Sequence, residues 1–454
     1  MFLTKRSVDA TKGAILPLII TYATPLIIST LIQSLFNAVD VAVLSNMANS
    51  YAVASVGATT SIIHLILHSF VGFASGSKLI LARQIGMNDN ESIRKTVNTA
   101  LIAAVWIGLA VAVFGFIFAP DFLRLTNCPV ECFDGAVIYT RVYLLGAPAI
   151  LLYNFGSSII TAAGDTQRPL YYIMAGGVLN VLLNIILCLT LSEKVMAVAI
   201  ATLSAQVLGA VLVISRLCKM EGNCRLVPKS LRFSWSAFGK ILRYGSPLAL
   251  SNALYPLANL QIQSAVNSFG VAATAGSSAA STIESIPSAF ITSFGATSAV
   301  FVGQNLGANK PERVRKSFYL CLIFSVLTSA VIGFALYLSG EFWLALLVDR
   351  DAESIAFGMI RMFYLSIFYF VAGANNALSN TIQAYGYTSF SAIVSVFGVL
   401  VFRAIWMEFI YPRYETFDNL MLCFLVSWLI VLAANVIAFV VIMIRYRKGI
   451  FKKI

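Results

Sequence analysis

Charge is what this chain lacks. Only 11% of its 454 residues are Asp, Glu, Lys or Arg, against about 25% in a soluble domain. So little charge cannot cover a water-facing surface, which excludes a soluble globular protein. Histidine is nearly absent too. The only two, His64 and His68, stand four apart; that spacing suits two metal ligands, but no third is evident, and a hydrogen-bonded intramembrane pair is the simpler reading. Their titration range leaves a proton relay open. The seven cysteines follow no metal-ligand spacing, and Cys128 and Cys132 would pair only if their shared loop faced an oxidising compartment. There is no P-loop, no carboxylate–histidine–nucleophile set and no His-rich membrane metal site. Direct ATP drive and enzyme chemistry drop out, and no cofactor is expected. The ~10-residue alternating segments of an outer-membrane barrel are also missing.

What is present is long and apolar. The uncharged stretches Ile15–Val39 and Tyr244–Phe269 outlast the ~20 residues that span a bilayer. The chain reads as an all-α membrane protein of twelve transmembrane helices. The spans run roughly 15–46, 52–81, 95–119, 135–163, 169–190, 194–216, 240–268, 275–304, 317–338, 355–384, 388–411 and 419–444. Pro25, Pro148, Pro247, Pro256 and Pro287 fall inside spans and are candidate kinks. The first apolar run follows no cleavage-site pattern and reads as a retained span.

The net charge of +12 does not point to nucleic acid, because the basic residues sit in short loops and tails. Twenty-three Lys and Arg fall on the side of both termini and six on the other, Arg141 and Arg361 at helix starts counted among the six, with Lys78 and Arg403 deeper inside spans. Both termini are therefore expected in the cytoplasm.

The chain also repeats itself. Ile85-Gly86-Met87-Asn88-Asp89-Asn90-Glu91-Ser92-Ile93-Arg94-Lys95 is echoed by Leu306-Gly307-Ala308-Asn309-Lys310-Pro311-Glu312-Arg313-Val314-Arg315-Lys316, at an offset of 221 residues. Pro25 and Pro247, Asn37 and Asn259, Arg141 and Arg361, and Gly164 and Gly386 keep nearly the same offset. Two six-span lobes follow, residues 1–216 and 240–454, joined by a basic cytoplasmic linker, 217–239. Six is even, so the lobes relate by a pseudo-twofold along the membrane normal, as in transporters that move a central site between two faces.

Three acids fall inside spans: Asp40, Glu284 and Glu408. Buried intramembrane charge is costly and calls for a purpose. Glu408 lies close to a span end and suits the interface. Asp40 closes a polar stripe of Ser29, Gln33 and Asn37, while Asn180, Asn184 and Thr202 reach the same depth from spans 5 and 6. A carboxylate with amide and hydroxyl oxygens suits Na⁺ or a proton; a polar network that joins helices is the competing reading. No other metal site is expected. Span 7 repeats the stripe with Ser251, Tyr255, Asn259, Gln263 and Asn267, and span 10 holds Asn375, Asn376, Ser379, Asn380 and Gln383. Glu284 and Arg403 reach matching depths of roughly 12–14 Å at ~1.5 Å per residue and are expected to pair.

These motifs carry a resemblance. Pro25-Leu26-Ile27-Ile28, Phe36-Asn37-Ala38-Val39-Asp40, Ala54-Ser55-Val56-Gly57-Ala58-Thr59, Ala163-Gly164-Asp165-Thr166-Gln167-Arg168-Pro169 and Phe301-Val302-Gly303-Gln304-Asn305-Leu306-Gly307-Ala308 resemble the multidrug and toxic compound extrusion (MATE) transporters. The resemblance covers essentially the whole chain. It implies a bacterial inner-membrane antiporter, built as a V of two lobes, that exports amphipathic organic cations and other drugs against inward H⁺ or Na⁺. By similarity Asp40, Asn180, Asn184 and Thr202 match the N-lobe cation site. Some members carry a second acid where this chain has Asn184, and relatives often have one at Asn375-Asn376. The expected partners are amphipathic small molecules and membrane lipids, with the chain a monomer. A lipid-linked saccharide flippase of the same superfamily is the alternative; such proteins usually show a cationic cavity, and only Lys78 and Arg403 are basic within these spans. A membrane-embedded enzyme is a third reading, without a catalytic set to support it.

Overall fold

A computed structural model describes residues 7–47, 50–125 and 128–447. Helices α1 (Ile15–Met47), α2 (Ser50–Met87) and α3 (Asn90–Leu125) come first. They are followed by α4 (Val130–Leu145), α5 (Ala147–Ala162), α6 (Gln167–Thr190) and α7 (Lys194–Lys219). The second half holds α8 (Trp235–Ser268), α9 (Val271–Gly307), α10 (Pro311–Leu338), α11 (Gly340–Leu347), α12 (Ala352–Leu365) and α13 (Tyr369–Ala384). It closes with α14 (Thr388–Ser395), α15 (Phe402–Ile405) and α16 (Phe417–Arg447). No strand occurs among the described residues.

Nine of these helices are long and apolar enough to cross a membrane, and two bent pairs bring the number to eleven. The twelfth expected span is α8. It is long enough at 34 residues, but Lys240, Arg243 and the stripe through Asn259 and Gln263 dilute its apolar character. The bent pairs are α4 with α5 and α12 with α13, each turning by 45°. They are the fourth span of each half. Pro148 stands at the start of α5 and fits its expected role there; the second bend, at residues 366–368, contains no proline.

Two turns repeat as well. Asn88 and Asn309 take φ of 55° and 53°, and Gly164 and Gly386 take 92° and 96°. Gly164 is required, since a Cβ there would meet the carbonyl oxygen of Val8 at 2.1 Å.

The chain forms two compact units. One comprises Met1–Asp9 with Ile28–Ala249, the other Ala10–Ile27 with Leu250–Ile454. The first part of α1 therefore belongs with the second unit, where Tyr22 packs edge-on against Phe301 of α9 at 5.5 Å. The first part of α8 belongs with the first unit, lying against Gly72 and Gly76 of α2. Within each unit the interior is aliphatic and aromatic, exemplified by Ile63, Leu67 and Leu144 in the first and Ile262, Trp406 and Trp428 in the second. Large apolar side chains such as Trp106, Phe114, Val331 and Ile437 point outward, which is stable only against lipid. Cys128 and Cys132 are free thiols 3.9 Å apart.

Candidate functional site

Among the described residues, a substantial cavity lies in each unit. In the first, Gly176 lets α6 run close to α7, with the Ala205 carbonyl oxygen 3.3 Å from where a Cβ would stand. One turn on, that approach brings the amides of α6 to the hydroxyl of α7. Asn184 Nδ2 donates to Asn180 Oδ1 at 2.8 Å, Asn180 Nδ2 donates to Thr202 Oγ1 at 3.3 Å, and Thr202 donates to the Val198 carbonyl at 3.0 Å. Asn180 and Asn184 are buried. Phe36 of α1 sits on Gly177 of α6, so its neighbours face the same space. Gln33, Asn37, Asn180, Thr202 and Gln206 line a cavity of about 380 Å³, with Tyr143, Tyr153 and Tyr172 among its apolar walls. Asp40 follows Asn37 by three residues on α1; its side chain, like those of His64, His68 and Tyr255, lies outside the described residues.

In the second unit, α9 and α12 cross at Gly276 and Gly358, where a Cβ on Gly276 would stand 2.0 Å from the Ser354 carbonyl. The crossing carries Glu284 and Arg361 into contact two turns further along α9. Arg361 Nε donates to Glu284 Oε1 at 3.1 Å and Nη2 to Oε2 at 2.9 Å, while Nη1 donates to Ser277 Oγ at 3.0 Å. Tyr369 donates its hydroxyl to Glu284 Oε2 at 3.4 Å. Glu284 and Arg361 line a cavity of about 440 Å³ together with Asn259, Gln263, Phe424 and Trp428.

The expected Glu284–Arg403 pair is therefore corrected. The partner of Glu284 is Arg361. Arg403 turns instead to Asn259, with Nη1 donating to Oδ1 at 2.8 Å, and to Ser427 Oγ, with Nε and Nη2 both at 3.3 Å. Its guanidinium lies 4.4 Å above the Phe424 ring. Depth alone does not fix the angle around a bundle, and Arg403 sits on a short α-helical stretch between two π-helical ones, Val396–Val401 and Trp406–Ile410. Wider winding there re-aims the side chain. Arg361 lies near the start of the expected span 355–384, where a basic residue reads as a loop-side charge. Its echo of Arg141 and its setting inside Met359-Ile360-Arg361-Met362-Phe363 were the available signals.

Asn37 and Asn259, matched by the sequence repeat, line the cavities of their respective units. The amides of α13 behave differently: Asn375 donates to the Trp428 carbonyl at 2.8 Å and serves packing onto α16. Glu408 is exposed, in keeping with an interface position.

The MatE family model matches residues 25–186 and 247–406, starting once at Pro25 and once at Pro247. Among known sequences, the chain is similar to the probable multidrug resistance protein YoeA of Bacillus subtilis, 23% identical over 83% of each chain. It is also similar to the probable multidrug resistance protein NorM of Thermotoga maritima, 22% identical over 85% of this chain and 83% of the relative. Among solved structures, a MATE protein crystallised in complex with MaL6 superposes with a TM-score of 0.88 at 21% identity, covering 97% of this chain and 98% of that one.

Proposed function

The chain belongs to the MatE family, and we propose that it is a cation-coupled antiporter that exports amphipathic organic cations and related drugs by alternating access. The first-unit cavity supports this reading most directly. It places Asn37, Asn180 and Thr202 around one space, with Asp40 one helical turn beyond Asn37. Amide and hydroxyl oxygens beside a carboxylate suit a hard monovalent cation or a proton. Alternate occupation of this site by the coupling ion, H⁺ or Na⁺, and release of that ion inward drives export. Aromatic walls offer apolar contact and cation–π attraction to a substrate that carries positive charge. The setting is a bacterial inner membrane with both termini in the cytoplasm and lipids around a single chain; small molecules are the cargo, and no cofactor takes part. The relatives' names lend no support to the flippase alternative.

The test is export of a fluorescent cation from proteoliposomes with Na⁺ and pH gradients imposed separately. One gradient should drive export in the wild-type protein, and Asp40→Asn should abolish it while the variant remains inserted and folded. Normal gradient-driven export by Asp40→Asn would overturn the assignment.

A further inference from the structure

Cys128 and Cys132 lie away from both cavities, where the connection from α3 reaches the start of α4. Their sulfurs stand 3.9 Å apart. Pro129, locked by its ring, precedes the first turn of α4 at φ −57° and ψ 141° and fixes the approach of the chain. The Cys132 N–H donates to the Pro129 carbonyl at 3.2 Å, and the Cys128 N–H donates to the Leu123 carbonyl of α3 at 3.1 Å. The backbone therefore holds both residues in place while the thiols are still free. Closing the gap to the ~2.05 Å of a disulfide bond takes a movement of under about 2 Å, which rotation of the two side chains supplies.

The surroundings give the two sulfurs unequal access. Cys132 is buried and Cys128 half-buried. Around them pack Leu123, Ala136 and Val137, with Ile66 and Phe133 at the margin. The Cys132 carbonyl accepts from Ser55 Oγ of α2 at 3.2 Å, so α2, α3 and α4 converge on the pair. Burial and the neighbouring Cys132 push the Cys128 thiol up to about 11. Little thiolate stands ready at neutral pH, which makes air a poor oxidant here and a disulfide donor the fitting one. The pair lies between the third and fourth spans. With both termini in the cytoplasm, three crossings put it at the outer face of the membrane, where thiols meet such donors.

We propose that Cys128 and Cys132 form a site of reversible oxidation, closed to a disulfide at the outer face by exchange with a thiol–disulfide donor. The proposal rests on the membrane orientation proposed above and goes beyond the exporter reading. Cys128, the more accessible sulfur, loses its proton and attacks the donor's disulfide, which forms a mixed disulfide and releases one thiol. Cys132 then loses its proton, attacks Cys128 Sγ and displaces the donor's second sulfur as a thiol. The protein gives up two electrons and two protons, and the donor takes up both in becoming two thiols. The new bond pins the segment after α3 to the first turn of α4, beside the contact with α2.

The experiment treats the purified full-length protein with excess oxidised glutathione, then alkylates free thiols with N-ethylmaleimide under denaturing conditions. Trypsin cuts after Arg124 and Arg141, so both cysteines fall on one peptide, residues 125–141. That peptide should lose two hydrogen atoms and carry no maleimide, and dithiothreitol should reverse the change. Cys132→Ser should stop at the first step, with glutathione held on Cys128. Cys128→Ser should take up glutathione roughly tenfold more slowly, because the remaining thiol is buried. A wild-type peptide that keeps two maleimides, or that carries glutathione on both cysteines, would overturn the site. Intact cells then test the orientation, with a membrane-impermeant reductant followed by an impermeant maleimide. Labelling of the pair from outside is expected. A disulfide in the purified protein with labelling confined to inverted vesicles would sink the outer-face oxidation and the orientation together. Labelling from outside without a disulfide would sink the oxidation site and leave the orientation standing.

Discussion

Glu284 of α9 and Arg361 of α12 meet as a two-point ion pair, with the glutamate side chain 5% and the arginine side chain 12% exposed. The fork is completed by Ser277 and the carboxylate by Tyr369. Breaking one side of such a pair leaves a charge in a dry setting, at a cost of about 3–5 kcal/mol. Arg361→Gln and Glu284→Gln should each lower stability by that order. The double variant should lose clearly less than the two single losses together, since residues in one ion pair couple by about 0.5–3 kcal/mol. Chemical or thermal unfolding of the purified protein in detergent checks this. Additive losses would mean that the two side chains act independently.

The first unit depends on a close helix crossing. Gly72 and Gly76 lie four apart on α2, and the start of α8 passes directly over them. A Cβ on Gly72 would stand 2.2 Å from the Ala249 nitrogen, and one on Gly76 would stand 2.7 Å from the Gly245 Cα. These are backbone atoms, so neither clash is relieved by turning a side chain, and helices in lipid use small residues for this approach. Gly72→Ala and Gly76→Ala should each cost about 1–3 kcal/mol, with Gly72→Ala the worse. Gly239→Ala, where no atom lies within 4 Å of the added Cβ, is the matched control. Fluorescence-detected size exclusion after graded heating reads the order.

Most of this architecture is legible in the sequence, because apolar length and a repeat in register are one-dimensional properties. Pro25 and Pro247 mark equivalent points, and the family match begins at both. Asn37 and Asn259 lining one cavity each follows from the same repeat. The partner of Glu284 was not legible. Helical spacing gives depth and face, but the azimuth of one helix about another is set by the Gly276–Gly358 crossing and by π-helical turns around Arg403. Neither leaves a periodic mark. The swapped beginnings of α1 and α8 also escape a reading that assigns each helix whole to one lobe.

Two exposed caps give the protein a local acid sensitivity. Asp351 precedes α12, and its Oδ2 accepts the Ser354 N–H at 3.0 Å; Asp89 serves α3 through Ser92 N–H at 3.0 Å. Hydrogen bonding from Ser354 and from Ser92 holds both carboxyls below their usual values, with Lys240 and Lys95 assisting at Asp89. A depressed carboxyl stabilises the fold above its unfolded value, and that contribution is lost as pH falls through the folded one. The first turns of α3 and α12 should therefore stay protected at neutral pH and fray below about pH 4. Hydrogen–deuterium exchange, corrected for intrinsic rates, reads those amides directly. Asp351→Asn keeps a cap and should remove the pH dependence at α12 alone; an unchanged profile in that variant would assign the effect elsewhere.

The beginning of α1 is fastened to the second unit by one guanidinium. Arg313 Nη1 donates to the Gly13 carbonyl at 2.8 Å, and Nη2 donates to those of Ala10 at 2.8 Å and Lys12 at 3.1 Å. Asn305 supports it, accepting from Arg313 Nε at 3.2 Å and donating to the Ala10 carbonyl at 3.0 Å. Lys310 donates to the Thr11 carbonyl at 2.8 Å. The carbonyls converge because Gly13 takes φ of 73°, a left-handed turn that a side chain would strain. A planar fork reaches several carbonyls at once, whereas an ammonium is a point donor. Arg313→Ala should therefore free the 10–13 segment, and Arg313→Lys should do so partially. Lys12 is exposed, so trypsin cleavage after it reports the opening. Losing hydrogen bonds from a charged donor, at about 1.5–3 kcal/mol each when well shielded, predicts at least a tenfold faster cut in Arg313→Ala, with Gly13→Ala moving in the same direction. An unchanged rate in both variants would mean that Asn305 and Lys310 hold the segment without the arginine.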